Sequence, residues 1–219
     1  MFDSLAKALE RSWYQPPRWN LLLLPLAWIF AGLTALRRRA FARGYLATYR
    51  APCTVVVVGN INVGGTGKTP VVIALARALQ ERGLRVGVVS RGYGGSHRGP
   101  PLAVRQDSDP RVVGDDAMLV AVATGVPVVV GSDRPAEVQA LLALGGLDIV
   151  ISDDGLQHYA LERDFEIVTL DAQRRFGNRH LLPVGPLREP LPRLASVDWV
   201  LDRGGSDPLS ACPLRAVAF

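Results

Sequence analysis

The stretch that decides the fold is TVVVVGNINVGGTGKTPVVIALARALQERG, Thr54–Gly83. Its first five residues, Thr54–Val58, are β-branched, too short for a helix and apolar on both faces, as a central parallel strand requires. From Lys68 to Arg82 the apolar residues Val71, Val72, Leu75, Ala78 and Leu79 recur near helical spacing, and Gly83 supplies a stop. Between strand and helix lies the glycine-rich turn Gly59–Thr69. Glycines let successive backbone N–H groups curl toward phosphate oxygens, and the helix N-terminus adds its dipole. The turn therefore reads as a phosphate-binding loop over Asn62, Val63, Gly64, Gly65, Thr66, Gly67, Lys68 and Thr69. Lys68 would reach the β- and γ-phosphates, and the Thr69 hydroxyl would ligate magnesium. The strict pattern has glycine where Asn62 stands; asparagine tolerates left-handed backbone, which keeps the loop geometry open to it.

Downstream, short apolar runs alternate with amphipathic stretches. Strands are expected at Val86–Val89, Val126–Val130, Asp148–Ser152 and Glu166–Leu170, with helices at Asp115–Ala123 and Pro135–Leu144. This alternation predicts an α/β fold, a P-loop NTPase-like parallel sheet with helices on both faces. After Asp171 four prolines make Leu182–Arg193 irregular, and Val197–Leu201 is one more candidate strand.

Upstream the composition changes. Leu21–Leu36 is sixteen residues without a charge, followed at once by Arg37, Arg38 and Arg39. As a helix it would span about 24 Å against a hydrocarbon core of roughly 30 Å. Trp13, Tyr14, Trp19 and Trp28 are rings suited to headgroup depth. A membrane-embedded or interfacial anchor, a buried core helix and a cleaved signal peptide (Lys7, Arg11 and Arg18 precede the run) all fit. The anchor fits best, because RRRAFAR follows with no small-x-small cleavage site. Residues 1–50 are thus expected to be a membrane-associated helical segment, and 51–219 the catalytic domain. The net charge of +5 suits anionic headgroups, nucleic acid or a phosphorylated substrate and selects none of them. Cys53 and Cys212 lack CxxC spacing, so neither a disulfide framework nor a zinc site is read from them.

Three acidic or basic motifs add chemistry. DIVISDDG, Asp148–Gly155, ends an apolar strand in carboxylates, where a nucleotide-bound magnesium is held; Asp153 is the first choice and Asp154 its neighbour, with turn capping the alternative. Asp115 in VGDD is either a helix N-cap or a general base. SRGYGG, Ser90–Gly95, lies at a strand's C-terminal end, where open α/β sheets bind ligands. By default Arg134, Arg188 and Glu189 are surface charges or local ion pairs.

Taken in order, VGNINVGGTGKTP, SRGYGG, VGDDA, the DR before Pro135, DDGLQH and GPLREP resemble the tetraacyldisaccharide 4′-kinase family of lipid A biosynthesis, over nearly the whole chain. The resemblance implies transfer of the ATP γ-phosphate to the 4′-hydroxyl of an acylated glucosamine disaccharide 1-phosphate. It implies ATP and Mg2+ as cofactors, and a site at the cytoplasmic face of the bacterial inner membrane, monotopic or with a single N-terminal anchor. It makes Asp115 the catalytic base, assigns Lys68, Arg134, Arg188 and Glu189 to the active site, and gives the metal to Thr69, Asp153 and Asp154. The family normally continues past Phe219 into a smaller C-terminal domain bearing a histidine partner for the base. His158 and His180 do not occupy that position, so a C-terminally truncated chain with reduced turnover is expected. Two rivals stay open: a membrane-associated ATPase switch, which has lysine where Val63 stands, and a catalytically impaired nucleotide-binding module. No basic and aromatic groove suggests nucleic acid.

Overall fold

The computed structural model describes residues 2–16, 19–203 and 216–218; Arg18, Cys212 and Phe219 lie outside them. Two compact units emerge, the first built from 1–45, 60–66 and 168–219, the second from 46–59 and 67–167.

The first unit opens with α1 (Phe2–Tyr14), a 3-10 helix at Trp19–Leu23 and α2 (Leu24–Ala42). The junction is pinned by buried polar groups: Trp13 Nε1 donates to the Pro183 carbonyl at 3.0 Å, and the buried Asn20 amide donates to the carbonyls of Val184 and Ser12. The helix runs on through Arg37–Arg39, past the expected boundary, because arginine is a good helix former and the first left-handed glycine is Gly44, with φ +74°. Together Trp19–Ala42 make 24 residues, long and apolar enough to cross a membrane by length and composition. Ala27 is the one buried residue of α2, while Leu26, Trp28, Ile29, Leu33 and Leu36 are all exposed. A core helix would bury such a stripe.

The second unit holds β1 (Thr54–Gly59), α3 (Lys68–Gln80), β2 (Val86–Ser90), β3 (Leu102–Val104), α4 (Pro110–Val113), α5 (Asp115–Thr124), β4 (Val128–Val130), α6 (Arg134–Ala143) and β5 (Ile149–Asp153). Strand order is β3-β4-β2-β5-β1. β1, β2, β4 and β5 are parallel, in the register Val56↔Ile151, Val88↔Ile151 and Val89↔Val129. Their buried valines and isoleucines are the core, covered as a parallel sheet must be. β4 starts two residues later than expected: Pro127 has no N–H, and its carbonyl accepts from Val88 N at 3.0 Å. The expected parallel sheet gains an antiparallel strand at one edge, where β3 pairs with β4. Three half-exposed residues carry too little pattern to reveal such a strand.

β6 (Phe165–Asp171) begins in the second unit and finishes in the first, where β7 (Trp199–Arg203) pairs in parallel with β8 (Ala216–Ala218). Leu182–Arg193 is irregular as expected up to a 3-10 helix at Leu191–Ser196.

In the second unit SRGYGG and VGDD are locked backbone to backbone. A Cβ on Gly114 would sit 2.6 Å from the Tyr93 carbonyl oxygen, and one on Gly95 would sit 2.4 Å from that of Val112. Gly114 also holds φ +91°. Gly114→Ala is therefore expected to cost about 2–3 kcal/mol in chemical denaturation, combining backbone strain with overpacking.

Candidate active site

The loop between β1 and α3 takes its shape from Gly64 (φ +109°) and Gly67 (φ +79°), conformations closed to most side chains. Its stretch in the first unit is clamped on several sides. Val63 N donates to the Pro186 carbonyl at 2.8 Å, and Arg188 N donates to that of Ile61 at 2.7 Å. Thr66 and Thr169 share a hydroxyl–hydroxyl bond of 2.7 Å, and Asn60 Nδ2 donates to the Gly64 carbonyl. Asn62 is buried, and its amide donates to the Arg175 carbonyl. It is not left-handed; the residue stands here because a side-chain amide ties the loop to the segment after β6, which glycine could not do.

In the second unit α3 begins at Lys68, directly after Gly67. Lys68 Nζ lies 3.3 Å from Asp154 Oδ1, and Thr69 Oγ1 donates to Asp116 Oδ1 at 2.8 Å. Asp153 ends β5. Its Oδ2 accepts from Ser90 Oγ at 3.0 Å, while its buried Oδ1 has no hydrogen-bond partner. Burial pushes the Asp153 carboxyl above the usual carboxylate range, against the pull of the Ser90 hydrogen bond, Lys68 and Arg134. A partnerless buried oxygen on a carboxylate held this way fits a cation. Among the described residues no three His, Cys, Asp or Glu side chains cluster for a metal. Magnesium takes one or two carboxylates and completes its shell with phosphates and water.

Arg134 opens α6 with no exposed surface. Its Nη1 donates to Glu137 Oε2 at 2.6 Å and its Nη2 to the Asp153 carbonyl at 3.0 Å. Burial pushes Glu137 up to about 7 despite that guanidinium. Asp115 is exposed at the first position of α5, and Gly114 occupies the N-cap, so the N-cap reading of Asp115 is corrected.

The structure therefore gathers Lys68, Asp153, Asp154 and Arg134 at the end of β5, and links Thr69 to Asp116. In the first unit Asn62 is tied to Arg175, and the backbone of Arg188 to Ile61. Glu189 is buried there, its Oε2 3.6 Å from Arg38 Nη1. Asp116 is the residue the sequence reading missed. Its signal was the second aspartate of VGDD, but only the tertiary approach of α5 to α3 makes it Thr69's partner. The SRGYGG loop adds a concave surface lined by Arg91, Tyr93, His97 and Arg98.

A family model for tetraacyldisaccharide-1-P 4′-kinase (LpxK) matches residues 19–213. The tetraacyldisaccharide 4′-kinase of Nitrosococcus oceani is 53% identical over 196 residues, covering 89% of this chain and 57% of the relative. That of Aeromonas hydrophila is 50% identical over 210 residues, covering 96% and 63%. The chain thus spans about three-fifths of the length of these curated relatives. A crystal structure of the "apo" form of LpxK from Aquifex aeolicus in complex with ATP superposes with a TM-score of 0.75 at 32% identity, over 84% of this chain and 58% of that one. With the family model spanning most of its length and relatives about half identical over nine-tenths of it, this chain belongs to the tetraacyldisaccharide-1-P 4′-kinase family.

Proposed function

We propose that the chain transfers the γ-phosphate of ATP to the 4′-hydroxyl of a tetraacylated glucosamine disaccharide 1-phosphate at the cytoplasmic face of the inner membrane. Residues 51–219 form the kinase domain, and residues 1–50, with the exposed apolar stripe of α2, hold it at the bilayer. The observation that carries the reading is Lys68, at the start of α3, facing Asp154 beside the partnerless oxygen of Asp153.

In this reading the loop N–H groups and Lys68 bind the phosphates. Thr69, Asp153 and Asp154 would hold magnesium, with Asp116 hydrogen-bonded to Thr69, and the ion would supply neutralisation of the phosphate charge. Arg134, fully buried, acts through Asp153: its bond to the Asp153 carbonyl positions that carboxylate. Asp115 accepts the proton of the attacking hydroxyl as the new O–P bond forms and the bond from the γ-phosphorus to the ADP oxygen breaks. Arg188 and Glu189 complete the set of polar residues assigned to catalysis.

The test is phosphate transfer from labelled ATP to the tetraacylated acceptor in mixed micelles. Labelled lipid that is lost in Asp115→Ala supports the kinase. ATP bound without labelled lipid would replace it with the reading of a nucleotide-binding module.

A further inference from the structure

Arg174 has no place in the site described so far, yet it lies against the phosphate loop. An ideal Cβ on Gly64 would sit 3.5 Å from Arg174 Nη1, so the guanidinium occupies the open flank that this glycine leaves. The backbone that presents it is held firmly. Asp171 Oδ1, at the end of β6, accepts from Gln173 N and Arg174 N at 2.8 and 3.1 Å, and the next carbonyl, of Arg175, accepts from the Asn62 amide.

The side chain, in contrast, is loosely engaged. Its Nη1 is 3.5 Å from Glu10 Oε1 of α1, both side chains are about half exposed, and the guanidinium lies over the Tyr14 ring at 5.9 Å. An exposed pair of that length contributes at most about 1 kcal/mol. A phosphate offers the same fork two charge-assisted hydrogen bonds, roughly twice as strong as neutral ones. Lys7 and Arg11 line the same groove, so Glu10 is outnumbered there by cations and an incoming anion meets little opposing charge.

We infer that Arg174 is a phosphate-contacting arginine supplied in cis: on nucleotide binding its guanidinium leaves Glu10 and engages the terminal phosphate carried by the loop. This rests on the kinase reading above and adds to it a residue that stabilises the negative charge of the group being transferred. The contact is specific to the terminal phosphate, and so separates ATP from ADP.

The experiment measures the affinities of Mg–ATP and Mg–ADP for this chain and for Arg174→Ala, Arg174→Lys, Glu10→Gln and Lys68→Ala. Arg174→Ala is expected to weaken ATP about tenfold or more while leaving ADP within about twofold. Glu10→Gln, which removes the competing carboxylate, is expected to hold or tighten ATP. Arg174→Lys keeps the charge but not the fork, and should fall between wild type and Arg174→Ala. Equal losses for ATP and ADP, or none for either, would overturn the inference and make Arg174 an anchor for α1. Wild-type chain that binds neither nucleotide, or binds them equally with and without Lys68, would sink the kinase reading itself and this inference with it.

Discussion

Arg134→Ala is expected to lower the unfolding free energy by about 3–5 kcal/mol, the cost of breaking a buried ion pair by removing one partner. Both side chains have no exposed surface and lie 2.6 Å apart. The loss is more than the pair: the buried Asp153 carbonyl loses the donor it receives from Nη2 at 3.0 Å. Glu137→Gln should cost less, since an amide of the same shape still accepts from Arg134.

The two variants also differ in pH dependence. Glu137 is raised from 4.5 to about 7 chiefly by burial, so the folded chain holds this proton more tightly than the unfolded one. Its stabilising contribution is whole below pH 4.5 and is lost as pH rises through about 7. The span corresponds to about 3 kcal/mol at most. Urea denaturation across that range should show wild-type stability falling relative to Glu137→Gln. Parallel curves would mean that Arg134 keeps the carboxylate ionised throughout.

Lys68→Ala is expected to weaken ATP binding about 10- to 100-fold, the worth of a charge-assisted contact with phosphate, and to lower transfer by a further 10²–10³-fold. Two effects act together. The ammonium that would bridge the phosphates is gone, and Asp154 loses the partner 3.3 Å away that offsets its charge beside Asp153. Lys68 is also one of the groups that pull the Asp153 carboxyl down, so its removal makes that buried carboxylate harder to ionise and weakens its hold on a cation. Titration with Mg–ATP at fixed pH, followed by single-turnover transfer, separates the two losses. Unchanged affinity would show that the loop N–H groups alone carry the phosphates.

Local pattern made much of this legible. The β-branched run Thr54–Val58, the glycines at 64 and 67, and the amphipathic repeat from Lys68 each respond to forces within a few residues, and all appear where expected. Asn62 was read for the wrong reason: it serves through a bond to Arg175, 113 positions away, and no local rule reports such a partner. The three-residue strand Leu102–Val104 escaped because its pairing with β4 is decided by the edge it meets.

Backbone sterics, hydrophobic periodicity and charge-free length act along the chain, so the alternation of strands and helices, the phosphate loop and the apolar N-terminal helix are all written in local pattern. The burial of Arg134 against Glu137 and the Asp153 carbonyl, the bond from the Thr69 hydroxyl to Asp116, and the approach of Arg174 to Gly64 come from folding in three dimensions. Those are matters of desolvation and approach between residues far apart in sequence. The free energy of a charge depends on what surrounds it in space, and its neighbours in the chain do not report that.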